Sequence, residues 1–295
     1  MASPVLSVIV ATHNNLELLR RCLDGWRRHA DGQPLEIIVV EDGCVDGTPE
    51  YLAELERTDW GRRHLRWVHE DDVNELMCTN RGFAEARGEL ILSYHDDMFL
   101  HAAWFVPELI ATFRAYPEIG LMSLSRGLFF TPTEKPLDSW HDTIDWERVQ
   151  STLGPPPLNW LRIQEVDGVM RPWLVRRACV EKVGPLDPAF RPTEWDEVDF
   201  CYRIREAGWK IATHGYERDG AYTHALSSTM SKVPSERRMA VALRNARLFY
   251  ERWGATIARE HPRARRTWPR RLAPAAALGT MASAALHLLP KRAKA

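Results

Sequence analysis

Leu90-Ile91-Leu92-Ser93-Tyr94-His95-Asp96-Asp97 is an apolar segment that stops abruptly on two adjacent carboxylates. Strands rich in Leu and Ile do not ordinarily end this way, because each acid is costly to desolvate and the two repel. A divalent cation is the simplest compensating charge, and hard ions such as Mg²⁺ and Mn²⁺ prefer carboxylate oxygens. The carboxyl ends of strands are also where open α/β sheets bind their ligands. Taken alone, an Asp-Asp pair is more often a solvated turn, so its surroundings decide the reading.

Upstream, residues 5–11 form a continuous apolar run broken by Thr12-His13-Asn14-Asn15. Leu16, Leu19, Leu23 and Trp26 follow at helical spacing, with Asn14 or Asn15 as the expected N-cap. A second run over 35–40 ends on Glu41-Asp42-Gly43, and Thr48-Pro49 opens another helix. A short strand over 65–68, a helix over 80–87 closed by Gly88, and the strand over 90–94 complete the alternation. This order predicts an α/β fold, a mostly parallel Rossmann-like sheet with helices on both faces. A parallel sheet gathers the clusters at Thr12, Asp42 and Asp97 at one edge. Further on, helices are predicted over 104–116, 175–183, 197–207 and 235–253, and strands over 120–124 and 209–213. The stretch 125–166 is rich in Pro and Trp and shows no period, which favours a binding role.

Composition narrows the function. The 295 residues are 45% hydrophobic and 27% charged, as in ordinary globular proteins. The net charge of −1 argues against a nucleic-acid partner. Cys22, Cys44, Cys78, Cys179 and Cys201 include no Cys-x-x-Cys pair, which fits a reducing compartment and no thiolate zinc site. Met1-Ala2-Ser3-Pro4 shows no signal peptide, so a cytoplasmic location is expected. Arg259, Arg263, Arg265, Arg266, Arg270 and Arg271 precede an uncharged stretch over 272–289, with Lys291, Arg292 and Lys294 beyond it. The expected division is a catalytic domain over 1–255, with a donor half near 1–124 and an acceptor half near 125–255, and a basic, apolar tail over 256–295. That tail is expected to contact the inner face of a membrane.

Neither G-x-G-x-x-G nor G-x-x-x-x-G-K-[ST] is present, so carboxylates and metal must replace a glycine cradle for any bound nucleotide. Four segments carry a resemblance: the strand Ser7 to Asn14; Val39 to Thr48 with its Glu41-Asp42-Gly43 turn; Asn80-Arg81-Gly82-Phe83-Ala84-Glu85-Ala86-Arg87-Gly88; and His95-Asp96-Asp97. In this order they resemble family-2 inverting glycosyltransferases of GT-A fold, over roughly residues 5–225. The resemblance implies that Thr12, Asn14 and Asp42 line the nucleotide pocket, with Asn80 and Arg81 nearby. His95-Asp96-Asp97 falls on the metal motif. It implies Asp97 as metal ligand and Asp96 on the ribose or a metal-bound water. His95 stands where the family usually has Asp or Asn, either as a ligand or packed under the nucleotide.

Thr193-Glu194-Trp195-Asp196-Glu197-Val198-Asp199-Phe200 resembles the family's acidic catalytic stretch. It implies Glu197, or Asp196 beside it, as the base. Aromatic faces stack on sugar rings, and Trp195, beside that base, is the tryptophan expected to meet substrate. His224 falls where the family often has a ligand to the metal or diphosphate. The implied reaction moves a sugar from a nucleotide-diphosphate donor to a hydroxyl of a glycan or lipid-linked acceptor, with Mg²⁺ or Mn²⁺, in cell-surface polysaccharide synthesis. A nucleotidyltransferase fits less well, because Thr12 to Asn15 lacks a triphosphate loop. A non-catalytic nucleotide-sugar or glycan-binding protein is the other alternative, kept open by His95.

Overall fold

A computed structural model describes residues 3–133, 138–152, 161–225, 235–261 and 263–271. Its first part follows the predicted alternation: β1 (Leu6–Thr12), α1 (Leu16–Ala30), β2 (Leu35–Asp42), α2 (Thr48–Glu56), α3 (Asp59–His64), β3 (Leu65–Glu70), α4 (Glu75–Glu85) and β4 (Leu90–His95). These four strands pair in parallel in the order β4-β1-β2-β3. Leu6, Val8 and Val10 enter one core with Leu19, Leu23 and Trp26 of α1, whereas Ile9 enters the other with Leu76 and Phe83 of α4. Burial on both faces is why the run carries no polar alternation. Gly82 permits the close approach of α4, because a Cβ there would collide with Ile9.

The remaining elements are β5 (Met98–Leu100), α5 (Phe105–Ala115), β6 (Ile119–Ser123), β7 (Gly127–Leu128), α6 (Trp146–Thr152), β8 (Arg162–Glu165), β9 (Gly168–Val169), β10 (Trp173–Arg176), α7 (Arg177–Val183), α8 (Asp196–Glu206), β11 (Lys210–Thr213), β12 (Tyr222–His224), α9 (Ser235–Glu260) and β13 (Thr267–Pro269). Among the described residues the main sheet has nine strands, in the order β13-β8-β11-β6-β10-β4-β1-β2-β3. Strands β10 and β8 run against their neighbours, and the rest share one direction. The result is a mostly parallel α/β sheet, as expected.

Three local expectations are corrected. Val175 and Arg176 belong to β10, inserted between β4 and β6, and the helix begins only at Arg177. Trp173, Leu174 and Val175 are fully buried, so strand pairing overrides local helix preference. Helix α4 begins at Glu75 rather than Asn80, with Asn74 Oδ1 accepting from Met77 N at 3.3 Å. Neither Asn14 nor Asn15 caps α1 with its side chain; Asp46 Oδ2 accepts from Leu16 N at 2.8 Å instead.

The C-terminal part also differs. Helix α9 runs to Glu260 and β13 pairs with β8, so the fold continues past residue 255 to Arg271. The arginines expected at a membrane are partly spent inside the fold: Arg263 meets Glu165 and Glu260, Arg265 meets Asp167, and Arg270 meets Glu108 and Asp219. Residues 272–295 lie outside the described residues. Among the described residues, no helix is long and apolar enough to cross a membrane. The side chains of Arg270, Glu108 and Asp219 are all 0% exposed. Arg270→Ala would strand two buried carboxylates, and is expected to cost about 3–5 kcal/mol in urea unfolding. A cost below about 1 kcal/mol, the range of an exposed pair, would show that this contact does not hold the C-terminal strand.

Candidate active site

Register places Thr12 beside Glu41 and Ala11 beside His95, so the carboxyl ends of β1, β2 and β4 converge. They border a cleft of about 280 Å³. Its lining includes Ile9, Ala11, Thr12, His13, Asp42, Asp72, Asn74, Glu75, Cys78, Asp96, Asp97 and Thr193. That size sits at the small end of ligand pockets, which run from roughly 300 Å³.

The two opening carboxylates part company here. Asp96 turns toward β1 and α1: Thr12 Oγ1 donates to its Oδ2 at 2.7 Å and Asn15 Nδ2 to its Oδ1 at 3.2 Å. Burial pushes the Asp96 carboxyl up to about 6, with Asp97 adding to the rise against the hydrogen bond from Thr12. Asp97 turns the other way. Its Oδ1 lies 3.1 Å from His224 Nε2 and 3.9 Å from His95 Nδ1. What brings His224 across so much sequence is the antiparallel pairing of β5 with β12, which sets His224 opposite Met98. The backbone of Ala225 N donates to Asp97 O at 2.9 Å and completes the ladder.

His95, Asp97 and His224 offer ligand atoms all within 4.8 Å of one another. One buried carboxylate with two imidazoles suits a divalent transition ion such as Mn²⁺; Mg²⁺ prefers an all-oxygen set. The donor chemistry therefore fits a metal. His13, Asp42 and Asp72 form a second such group. There, however, Asp42 already accepts from Val73 N at 2.7 Å and Asn74 N at 3.0 Å, fixing the loop into α4.

Thr12, Asp42, His95, Asp96 and Asp97 thus border the cleft, and His224 meets Asp97. Other predicted residues do not border it. Asn14 has φ +50° and uses Oδ1 to accept from Val45 N at 2.8 Å, shaping the turn after β1. Asn80 exchanges two hydrogen bonds with the backbone of Leu186, at 2.8 and 2.9 Å, and anchors the segment leading to α8. Arg81 is exposed and pairs with Glu70 and Glu85. Trp195 is 7% exposed and packs on Phe130 and Phe249, so its indole is core and not a sugar platform.

Asp196 and Glu197 start α8, where carboxylates suit the helix N-terminus. Sequence reading missed their partner. The Arg171 side chain, 6% exposed, places NH2 2.9 Å from Asp196 Oδ2 and NH1 3.3 Å from Glu197 Oε2. NH1 is also 3.4 Å from Glu75 Oε1, and that oxygen is 3.3 Å from His95 Nε2. One guanidinium thus faces three acids. Burial and the neighbouring Asp196 push the Glu197 carboxyl well above its ordinary range, against the pull of Arg171. Burial also raises Glu75, but Arg171 and His95 outweigh it and hold that carboxyl at about 2. A signal for Arg171 was present: it is the one charge in the apolar run 168–175, and a buried charge requires partners. Glu75 had no comparable signal.

Several known proteins resemble this chain in sequence or in fold. EpsH of Bacillus subtilis (strain 168), named as a glycosyltransferase, is 27% identical over 139 residues, covering 47% of this chain and 38% of EpsH. The chain thus spans well under two thirds of that relative's length. Staphylococcus aureus TarS 1–349 in complex with UDP-GlcNAc superposes with a TM-score of 0.54 at 14% identity, over 78% of this chain and 61% of TarS. GalNAc-T7 with UDP, GalNAc and Mn²⁺ gives 0.55 at 13% identity, over 72% of this chain and 43% of that one. Residues 7–184, more than half of the chain, match the model of glycosyl transferase family 2, and the chain belongs to that family.

Proposed function

We propose that this glycosyltransferase is metal-dependent and inverting, and that it uses a nucleotide-diphosphate sugar. The observation that carries the reading is the meeting of Asp97 with His95 and His224 beside the cleft, with the Arg171–Glu197 pair joined to them through Glu75. The structures of TarS in complex with UDP-GlcNAc and of GalNAc-T7 with UDP, GalNAc and Mn²⁺ support a UDP-type donor and Mn²⁺. Asp97, His224 and His95 would hold the ion. When bound, Mn²⁺ or Mg²⁺ supplies positive charge for the diphosphate leaving group.

The protein's own residues do the rest. Ile9, Ala11 and Cys78 give the cleft an apolar wall for a base, and Asp42 offers carboxylate oxygens at its rim. Asp96, held by Thr12 and Asn15, is set to accept from a ribose hydroxyl. Glu197 takes the proton of the acceptor hydroxyl as that oxygen bonds to the sugar C1. The bond from C1 to the diphosphate breaks on the opposite face, inverting the anomeric centre. Access favours Glu197 over Asp196: their side chains are 14% and 0% exposed. A base with a raised pKa is well matched to operation near neutral pH. The proposed acceptor is a hydroxyl of a glycan or lipid-linked glycan at the cell envelope.

Asp97→Ala is expected to abolish transfer and Mn²⁺-dependent nucleotide binding; full activity would overturn the scheme. Glu197→Gln should keep donor affinity and lower kcat by about 10²–10⁴-fold. If Asp196→Asn produces that loss and Glu197→Gln does not, the base is Asp196. Because the base must be ionised, kcat should fall as pH drops through a pKa above the ordinary Glu value of about 4.3. That acid limb should vanish from the residual rate of Glu197→Gln. Screening UDP-, dTDP- and GDP-sugars for Mn²⁺-dependent hydrolysis or transfer identifies the donor. Binding without turnover of any of them would favour a non-catalytic sugar-nucleotide-binding protein.

A further inference from the structure

Between the candidate metal ligands and the candidate base lies a series of close charged contacts. His95 presents Nδ1 toward Asp97 at 3.9 Å and Nε2 toward Glu75 Oε1 at 3.3 Å. The same Glu75 oxygen lies 3.4 Å from Arg171 NH1, which reaches Glu197 Oε2 at 3.3 Å. We propose that Glu75 and Arg171 are positioning residues: Glu75 orients His95 with Nδ1 toward the ion, and Arg171 ties Glu75 to the base. The proposal rests on the metal-and-base reading above and adds two residues to it.

A neutral imidazole carries its proton on one nitrogen and a lone pair on the other. His95 Nε2 is buried and 3.3 Å from the Glu75 carboxylate, without hydrogen-bond alignment in this conformation; a small ring rotation that aligns it selects the tautomer with Nε2–H and leaves the Nδ1 lone pair facing Asp97. Metal-bound histidines commonly have this outer carboxylate, and its loss typically weakens metal binding about 10–100-fold. The arrangement accounts for a histidine at 95: the imidazole reaches both Asp97 and Glu75, which a short aspartate could not span. Arg171 is suited to the other half because its planar fork can meet Glu75, Asp196 and Glu197 together, whereas a lysine is a single point charge.

The test titrates metal-free protein with MnCl₂, reading free Mn²⁺ by electron paramagnetic resonance. Glu75→Ala is expected to weaken Mn²⁺ binding on the order of 10-fold or more. Glu75→Gln, which keeps an acceptor oxygen, should recover much of the loss. Adding Glu75→Ala to His95→Ala should cost nothing further, because Glu75 acts through His95. Wild-type affinity in Glu75→Ala, or a full additional loss in the double variant, overturns the proposal. Asp97→Ala separates the two levels: if it binds Mn²⁺ normally, the metal reading itself fails. For Arg171, the conservative Arg171→Lys should lower kcat with donor KM unchanged. A change confined to KM would overturn the role given to Arg171.

Discussion

Negative charge crowded at the carboxyl edge of a buried sheet is the constraint on which this molecule depends. Glu41, Asp42, Asp96, Asp97 and Asp196 are all buried there or close by. None can stay ionised in a low-dielectric setting without compensation. Each is compensated differently. Asp42 accepts from two backbone amides, Asp96 from a hydroxyl and a side-chain amide, and Asp196 from a guanidinium. Asp97 faces two imidazoles, a donor set that a metal ion can share.

Compensation of this kind needs partners from far along the chain, and the topology delivers them. The β5–β12 ladder carries His224 to Asp97. Insertion of β10 between β4 and β6 sets Arg171, two residues before the strand, against the start of α8. Helix α9 contributes from behind: buried Asn245 Nδ2 lies within 2.8–3.0 Å of the carbonyls of Phe190, Thr193 and Glu194. That clamp holds Glu194 and Trp195 at φ +77° and +68°, a conformation non-glycine residues seldom adopt. The turn before α8 is thus fixed by a helix some fifty residues downstream.

The same logic operates away from the cleft. The Arg270 side chain is fully buried against Glu108 and Asp219, and the partly buried Arg265 pairs with Asp167. In sequence these arginines form a basic block beside an uncharged stretch, the pattern of a membrane anchor. In the fold their charges are matched by acids from β8, α5 and the loops, because β13 completes the sheet beside β8. Charge density along a chain says nothing about which charges meet.

What the sequence determined was whatever depends on neighbours in the chain. Apolar runs ending on Thr12, Asp42 and Asp97 specified the parallel half of the sheet and the edge that borders the cleft. The ordered motifs specified the family, and the acidic stretch that opens α8 supplied the two candidate bases. The roles of Asn14, Asn80 and Trp195 were decided only in three dimensions, where the first two bind backbone and the third packs in a core. Arg171 and Glu75 became visible only there as well. A strand's period and a helix's cap are set by residues a few positions apart, whereas a buried carboxylate takes whichever cation the packing of distant strands brings within about 3 Å, the reach of a charged hydrogen bond.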